Sequence, residues 1–387
     1  MQALILAGGE GTRLRPLTAT MPKPVVPLAG RPFIAHMLAW LAGHGVEEAI
    51  LACGFMAERV RAVLGDGRKL GVRLRYLEEP RPLGTGGALK FAEELLDERF
   101  LMLNGDVLCD LDLAAQLAHH ERTGALGTLA LVGVDDPSAY GLVRRNADSS
   151  VRQFLEKPSP EEIDTRLVNA GCYVLERELL DALPPAGTPV SIERELFPAL
   201  VGHGLYGYEA RGYWLDIGTP ERYLQGTFDI LEGRVRAAAS PNLDAAGQGL
   251  GEGARIAGEL RAPALVGADG ELEAGALAGP RVVLGAGVRV AAGAQIAEAV
   301  ILERASIGER TRITGAIVGP GASIGPDCVL ERNVVIGAGA RLAAGTVLQE
   351  GTRVDAGASI GADAGAPRRG DVRIGLSAAA SEEAVRP

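Results

Sequence analysis

The chain has 387 residues, 47% of them hydrophobic and 23% charged. That is enough apolar material for two packed domains, or three at most, and it excludes a disordered, fibrous or disulfide-stapled class. The net charge of -10 and the absence of any basic block longer than a pair or so argue against a general nucleic-acid binder, so an anionic ligand must be met by a few placed cations and backbone N–H groups.

Taken in chain order, Ala3–Leu6 is a short apolar run stopped by Gly8-Gly9. It is too short for a signal peptide and no basic segment precedes it. No uncharged apolar stretch reaches the roughly 18 residues that span a bilayer, so a cytoplasmic chain with no membrane partner is expected. Arg31-Pro32 opens a helix in which Phe33, Met37, Trp40 and Leu41 share one face, stopped by Gly43 and Gly45. Strands are predicted over Glu48–Cys53, at the alternating Val72, Leu74 and Tyr76, and over Phe100–Leu103. Helices are predicted over Ala57–Leu64, over Gly87–Leu96 and near Leu113–Arg122. This alternation predicts an α/β domain with a mostly parallel sheet, and ligands beyond the C-terminal strand ends.

Composition changes near residues 235–250, where AAASPNLDAAGQGLGEG reads as a linker and after which no Phe, Tyr or Trp occurs. Val266, Leu272, Leu284, Val290, Ile296 and Leu302 then fall on a six-residue grid, with Ala278 in the missing slot. Ile307 and Ile313 follow a five-residue step, and Ile324, Leu330, Ile336, Leu342, Leu348, Val354 and Ile360 follow one more irregular step. A hexad repeat of this length predicts a left-handed parallel β-helix, because an α-helix would need another period and far less glycine. The chain thus divides into residues 1–235, residues 250–362 and a loose tail or cap over 363–387. Flat sheet faces and open ends predict a homo-oligomer, dimer or larger. The cysteines Cys53, Cys109, Cys172 and Cys328 are scattered without a CxxC pair, which points to a reducing compartment, with Cys328 a small core filler.

Three segments could carry chemistry. Leu6-Ala7-Gly8-Gly9-Glu10-Gly11-Thr12-Arg13-Leu14 follows the first strand, and its glycines would let backbone N–H groups approach phosphates. It is neither a P-loop nor a dinucleotide fingerprint, since Leu14 stands where the third glycine belongs. An ordinary tight turn is the alternative; Arg13, Arg15 and Lys23, pinned between Pro22 and Pro24, favour an anion site. Asn104-Gly105-Asp106-Val107 ends a strand, where a carboxylate could hold Mg2+ or merely form a turn. Tyr213-Trp214-Leu215-Asp216-Ile217-Gly218 ends another apolar run, with a helix N-cap as the alternative for Asp216. Two such acids meeting at one cleft would make a metal site.

In this order the segments LILAGGEGTRLRPLT, PKPVVPLAGRPFI, EEPRPLGTGGALKFA, LMLNGDVLCD, YGLV, EKP, VNAGCYVL, SIERELFPAL and GYWLDIGTPERYLQG resemble the sugar-1-phosphate nucleotidylyltransferases over essentially residues 2–232. The resemblance implies a Rossmann-like nucleotidyltransferase domain that makes an NDP-sugar and pyrophosphate from an NTP and a sugar-1-phosphate, with Mg2+. Within the family it is nearest to the branch that joins GTP to mannose-1-phosphate, which shares the Asp-Val-x-Cys-Asp form, the SIE-FP segment and a hexapeptide β-helix. PLGTGGALK, in contrast, looks more like the heptose-1-phosphate guanylyltransferases. Those enzymes, glucose-1-phosphate uridylyl- or thymidylyltransferases, and a non-catalytic regulatory paralogue are the alternatives.

By position the resemblance implies that Leu6, Ala7, Gly8, Gly9, Gly11, Thr12, Arg13 and Lys23 bind the nucleotide phosphates, and Gly84, Thr85 and Gly86 the base and ribose. Asp106 and Asp216 would hold the metal. Asp106, Gly141, Glu156, Lys157, Asn169 and Gly171 would bind the sugar phosphate. Arg13, Lys23, Asp106, Lys157 and Asp216 would be catalytic. The nucleophile would be the substrate's own phosphate oxygen, so no Ser, Cys or His needs activation. The last histidine, His203, precedes the β-helix, which argues against an acetyltransferase activity there.

Overall fold

The computed structural model describes residues 1–236 and 241–361, together with the backbone of Arg373–Ile374. In chain order the main elements of the first domain are β1 (Gln2–Leu6), α1 (Phe33–Gly43), β2 (Glu48–Cys53), α2 (Ala57–Leu64), β3 (Arg73–Glu78), α3 (Gly84–Phe91), β4 (Arg99–Asn104), β5 (Val107–Cys109), α4 (Leu113–Thr123), β6 (Gly127–Gly133), β7 (Gly141–Arg145), β8 (Val151–Glu156), β9 (Leu167–Glu176), β10 (Leu205–Glu209), β11 (Trp214–Asp216) and α5 (Pro220–Leu231).

β1 can sit at the centre of the sheet because Ala3, Leu4 and Ile5 are all fully buried, leaving both faces free to be covered. The order is β8-β7-β9-β4-β1-β2-β3, with β6 pairing β9 and β10 pairing β6. The run from β3 to β4 is parallel. Beyond it β9 turns antiparallel to β4, which makes the sheet mixed. Outside the sheet, β5 and β11 form their own antiparallel pair, with Asp216 opposite Val107. Ile34, Leu38 and Leu41 of α1 pack on Ile5, Leu51 and Leu103 in one core cluster. Each such side chain contributes about 1.5–3 kcal/mol through burial. Among the described residues no helix is long and apolar enough to cross a membrane.

One helix departs from the sequence expectation. α3 starts at Gly84, not Gly87, and its end tightens into the turn Glu93–Leu95. The N–H groups of Gly86 and Gly87 both reach the Val190 carbonyl, at 2.9 and 3.2 Å, and this draws the glycine-rich stretch into the first helical turn.

The second domain is a left-handed parallel β-helix of three sheets. Its interior stacks like residues coil on coil: Val266, Leu284, Ile301, Val318, Ile336 and Val354 form one column. Leu272, Val290, Ile307, Ile324, Leu342 and Ile360 form a second, and Ala278, Ile296, Ile313, Leu330 and Leu348 a third. The predicted grid therefore needs correction at one point. Ile301, not Leu302, faces inward, and Val318 fills the slot that the grid skipped, because two coils are one residue shorter than their neighbours. Leu302 belongs instead to the cluster between the two domains. Cys328 is fully buried in the interior, and burial raises its thiol above the ordinary range. Of the expected linker, residues 237–240 lie outside the described residues. So does the expected tail, except for the backbone of Arg373–Ile374, which pairs with Arg353–Val354.

One sheet of the β-helix carries apolar residues on its outer face as well. Val283, Val300, Ile317 and Val335 point outward and yet are at most 3% exposed, because they pack against Leu14, Leu17, Val26, Leu28, Phe33, Tyr223 and Phe228 of the first domain. An ion pair between Arg281 and Glu232 (2.8 Å) borders this contact.

Candidate active site

Beyond the C-terminal ends of β1, β2 and β4 lies a cleft of about 730 Å³. Of the residues expected to bind a nucleotide, Leu6, Ala7, Gly8, Gly9, Gly11, Thr12, Arg13, Lys23, Gly84 and Thr85 line it. Gly86 does not; it is buried against Val190 and Ile192 and serves packing. Gly11 sits at φ +61, the left-handed region that favours glycine, where the chain turns close against Lys23. Gly105 is held still more tightly, since a Cβ there would stand 2.5 Å from the Leu6 carbonyl oxygen. That close approach carries Asp106 to the end of β1, beside the glycine-rich loop.

The charged groups converge. Lys23, only 9% exposed in the turn Lys23–Val25, donates from Nζ to Asp106 Oδ2 at 3.1 Å. The Ile217 N–H reaches the Asp106 carbonyl at 2.9 Å, which ties β11 to the turn after β4. A Cβ on Gly218 would lie 3.0 Å from both Arg13 Nη2 and Asp216 Oδ2, so Arg13 and Asp216 share one corner of the cleft. Burial first, then the Asp106 charge, pushes the Asp216 carboxyl above its usual range, against the pull of Lys23, Arg222 and Arg13. The N-cap of α5 is Thr219, not Asp216, which leaves Asp216 available to a ligand. Arg15 pairs with Glu10 at 2.9 Å and pins the loop.

No group of three or more His, Cys, Asp or Glu that could hold a metal on its own occurs among the described residues. The donor set is two carboxylates whose mutual repulsion a cation would relieve. That fits a hard divalent ion such as Mg2+, which takes its remaining ligands from phosphate and water.

Of the residues expected at the sugar phosphate, Asp106 lines the cleft, whereas Gly141, Glu156, Lys157, Asn169 and Gly171 do not. A Cβ on Gly141 would lie 3.2 Å from Glu156 Oε2, and the Lys157 N–H donates to the Tyr140 carbonyl at 3.1 Å. Asn169 Oδ1 accepts the Gly171 N–H at 3.1 Å, and its Nδ2 donates to Tyr173 Oη at 2.8 Å. Gly171 in turn packs on Asn104, two residues before Asp106. Burial, then the charge of Glu193, raises the Glu156 carboxyl.

Four further residues matter that the motif reading assigned no role. Glu193 accepts from Thr85 Oγ1 at 2.7 Å, which joins α3 to the sugar side. Glu79 lines the cleft, accepts the Leu83 N–H at 3.1 Å, and is raised by burial. Arg222 donates to Asp216 Oδ2 at 3.2 Å and to the Tyr140 hydroxyl. Trp214 packs edge-on against Tyr140 and donates to the Ala170 carbonyl at 2.8 Å. Glu79 and Glu193 stood inside recognised segments, but nothing in their spacing distinguished them from surface acids. Arg222 is brought to Asp216 only by the turn into α5.

A family model described as nucleotidyl transferase matches residues 2–233, and one described as the GMPPB C-terminal domain matches residues 260–352. The mannose-1-phosphate guanylyltransferase of Mycobacterium tuberculosis is 44% identical over 247 residues, 63% of this chain and 67% of that protein. The mannose-1-phosphate guanyltransferase of Schizosaccharomyces pombe is 39% identical, over 63% of this chain and 69% of that protein. Among solved structures, HddC from Yersinia pseudotuberculosis matches with a TM-score of 0.52 at 29% identity, covering 58% of this chain and 97% of that one.

Proposed function

This chain belongs to the nucleotidyl transferase family, and from that premise we propose that it makes GDP-mannose and pyrophosphate from GTP and mannose-1-phosphate. One observation carries the reading: the glycine-rich loop, Arg13, Lys23 and Asp106 line a single cleft, and Asp216 stands with Arg13 at its Gly218 edge. A phosphate oxygen of the sugar phosphate, already anionic, attacks the α-phosphorus in line. The bond from that phosphorus to the β-phosphate's bridging oxygen breaks, and pyrophosphate leaves with the bonding pair; no proton need move. The protein's task is to align two anions and offset their charge. Loop N–H groups, Arg13 and Lys23 face the triphosphate, while Lys157 receives the sugar phosphate. Glu156, Asn169 and Gly171 orient the sugar. Asp106 and Asp216 would hold Mg2+, which when bound neutralises phosphate charge.

The base preference rests on Glu79. Guanine presents adjacent N1–H and N2–H donors, which one carboxylate accepts together, whereas uracil and thymine offer a single N–H between two carbonyls. Pyrophosphate release measured over GTP, UTP, dTTP, ATP and CTP against mannose-, glucose- and heptose-1-phosphate tests this. GTP with mannose-1-phosphate should show the highest kcat/KM, and Glu79→Gln should erode the preference for GTP. A higher value for UTP or dTTP overturns it. A cytoplasmic location belongs to the same reading, as does self-association through the β-helix sheets that the first domain leaves open. Light scattering above monomer mass checks the latter.

A further inference from the structure

We propose that the outer face of the docking sheet, centred on Val300, Ile317 and Val335, positions the segment that carries Arg13 and Lys23, so that the β-helix is a working part of the phosphate site. The segment Thr12–Phe33 has little backbone structure of its own. It contains three single turns, Thr12–Leu14, Leu17–Ala19 and Lys23–Val25, and a two-residue ladder between Pro27–Leu28 and Arg31–Pro32. Such a stretch keeps one shape only if both of its sides are packed.

One side is packed by the first domain, where Val25 enters the core beside α1. The other side faces the β-helix: Leu14, Leu17, Val26, Leu28 and Ala29 join Val283, Val300, Ile317 and Val335 in one cluster. Strand alternation sends the neighbours of those four, Val282, Ile301, Val318 and Ile336, into the β-helix interior. The face is therefore fixed by the stacked coils behind it. Gly30 marks how close the contact is, since a Cβ there would come within 2.8 Å of Leu265 Cδ2. The Tyr223 hydroxyl, which bonds the Pro27 carbonyl, ties the same segment to α5. Lys23 lies between the two packed sides, nearly buried, with Nζ on Asp106. Its position is thus set by a surface some distance along the chain, in another domain.

An alternative is that the face only anchors the domains to each other. The two roles separate in kinetics, because loosening this segment disturbs the nucleotide more than the sugar phosphate, whose residues other than Asp106 lie on β7, on or directly after β8, and on β9.

The test uses the full chain with Val300→Ala and Ile317→Ala together, Ile317→Val as the conservative variant, and Gln295→Ala on an open sheet as the control. It rests on the reading of the cleft as a triphosphate site, and the parent's own turnover of GTP and mannose-1-phosphate tests that reading separately. In the double variant, amide exchange over residues 14–28 should speed up, GTP KM should rise and kcat should fall, together on the order of tenfold or more in kcat/KM for GTP, with mannose-1-phosphate KM changed less than about twofold. Ile317→Val should restore most of the loss and Gln295→Ala should match the parent. Faster exchange with unchanged GTP kinetics would show an anchor only, and unchanged exchange would show no support at all. An equal loss for both substrates would show general destabilisation. Each of these overturns the proposal. If the double variant does not fold, Val300→Ala alone is read by the same criteria.

Discussion

In the first domain the charged side chains that could do chemistry stand after β1 and β4 and at the end of β11. Inside the β-helix, Val, Ile, Leu and Ala repeat coil on coil, and the buried threonines serve turns, as when Thr311 Oγ1 donates to the Gly325 carbonyl at 2.8 Å. The contrast separates two jobs. Strand ends bury a carboxylate and set a second one beside it, and that burial first, then the like charge of Asp106, raises the Asp216 carboxyl. The repeat accumulates burial without any such charge and presents flat, rigid faces. The two regions meet on one sheet, where the repeat turns apolar outward as well.

The largest effect is expected at Lys23. Lys23→Ala leaves Asp106 without its ion-pair partner and removes a cation from the triphosphate. Steady-state pyrophosphate release should fall on the order of a hundredfold or more. An equal loss in the melting temperature and none in turnover would reverse the assignment of roles. The counterpart change is Leu330→Ala in the β-helix interior, on a sheet that contributes nothing to the cluster between the domains. It should cost about 2–5 kcal/mol of stability, read by denaturant unfolding, with kinetics near the parent's well below the transition.

Those two sites also differ in how legible they were. The hexad grid identified all but two residues of the three stacked interior columns because its six-residue period is set by backbone geometry alone. It slipped at Ile301 and Val318, where a shortened coil is absorbed at a corner that leaves no mark in composition. The outward Val283, Val300, Ile317 and Val335 were in plain view, yet their meaning depended on which sheet another domain covers. In the first domain the motif residues after β1 and β4 were readable, and most of them reach the cleft. Arg222 and Glu193 were not, because each acts on a partner that only tertiary folding brings near.

A smaller effect is expected at Arg222 of the first domain. This side chain bridges Asp216 and Tyr140, and so couples β11 to the loop that opens β7. Arg222→Ala should reduce kcat about tenfold through misplacement of Asp216, and Arg222→Lys should recover part of it. A change confined to the melting temperature would count against that role.

The smallest effect expected is one of pH. The Glu156 carboxyl is raised by burial and by Glu193, so on acidification it protonates before an ordinary glutamate of pKa about 4.3 would. The sugar hydroxyls then lose an ionised acceptor. KM for mannose-1-phosphate should rise as pH falls toward that raised value and stay flat above it. Glu156→Gln should remove the pH dependence, and a pH-independent KM in the parent would exclude Glu156 from sugar binding.

We propose that Asp106 and Asp216 together form a cation site for transfer at the edge of the cleft. The most direct test is a Mg2+ titration of pyrophosphate release from GTP and mannose-1-phosphate, run on the parent and on Asp106→Asn. Chelator-treated parent should give no release, Mg2+ should restore it, and Asp106→Asn should lose about 100–1,000-fold at saturating Mg2+ with the fold intact. Turnover without a divalent cation, or a variant within about tenfold of the parent, would contradict the proposal.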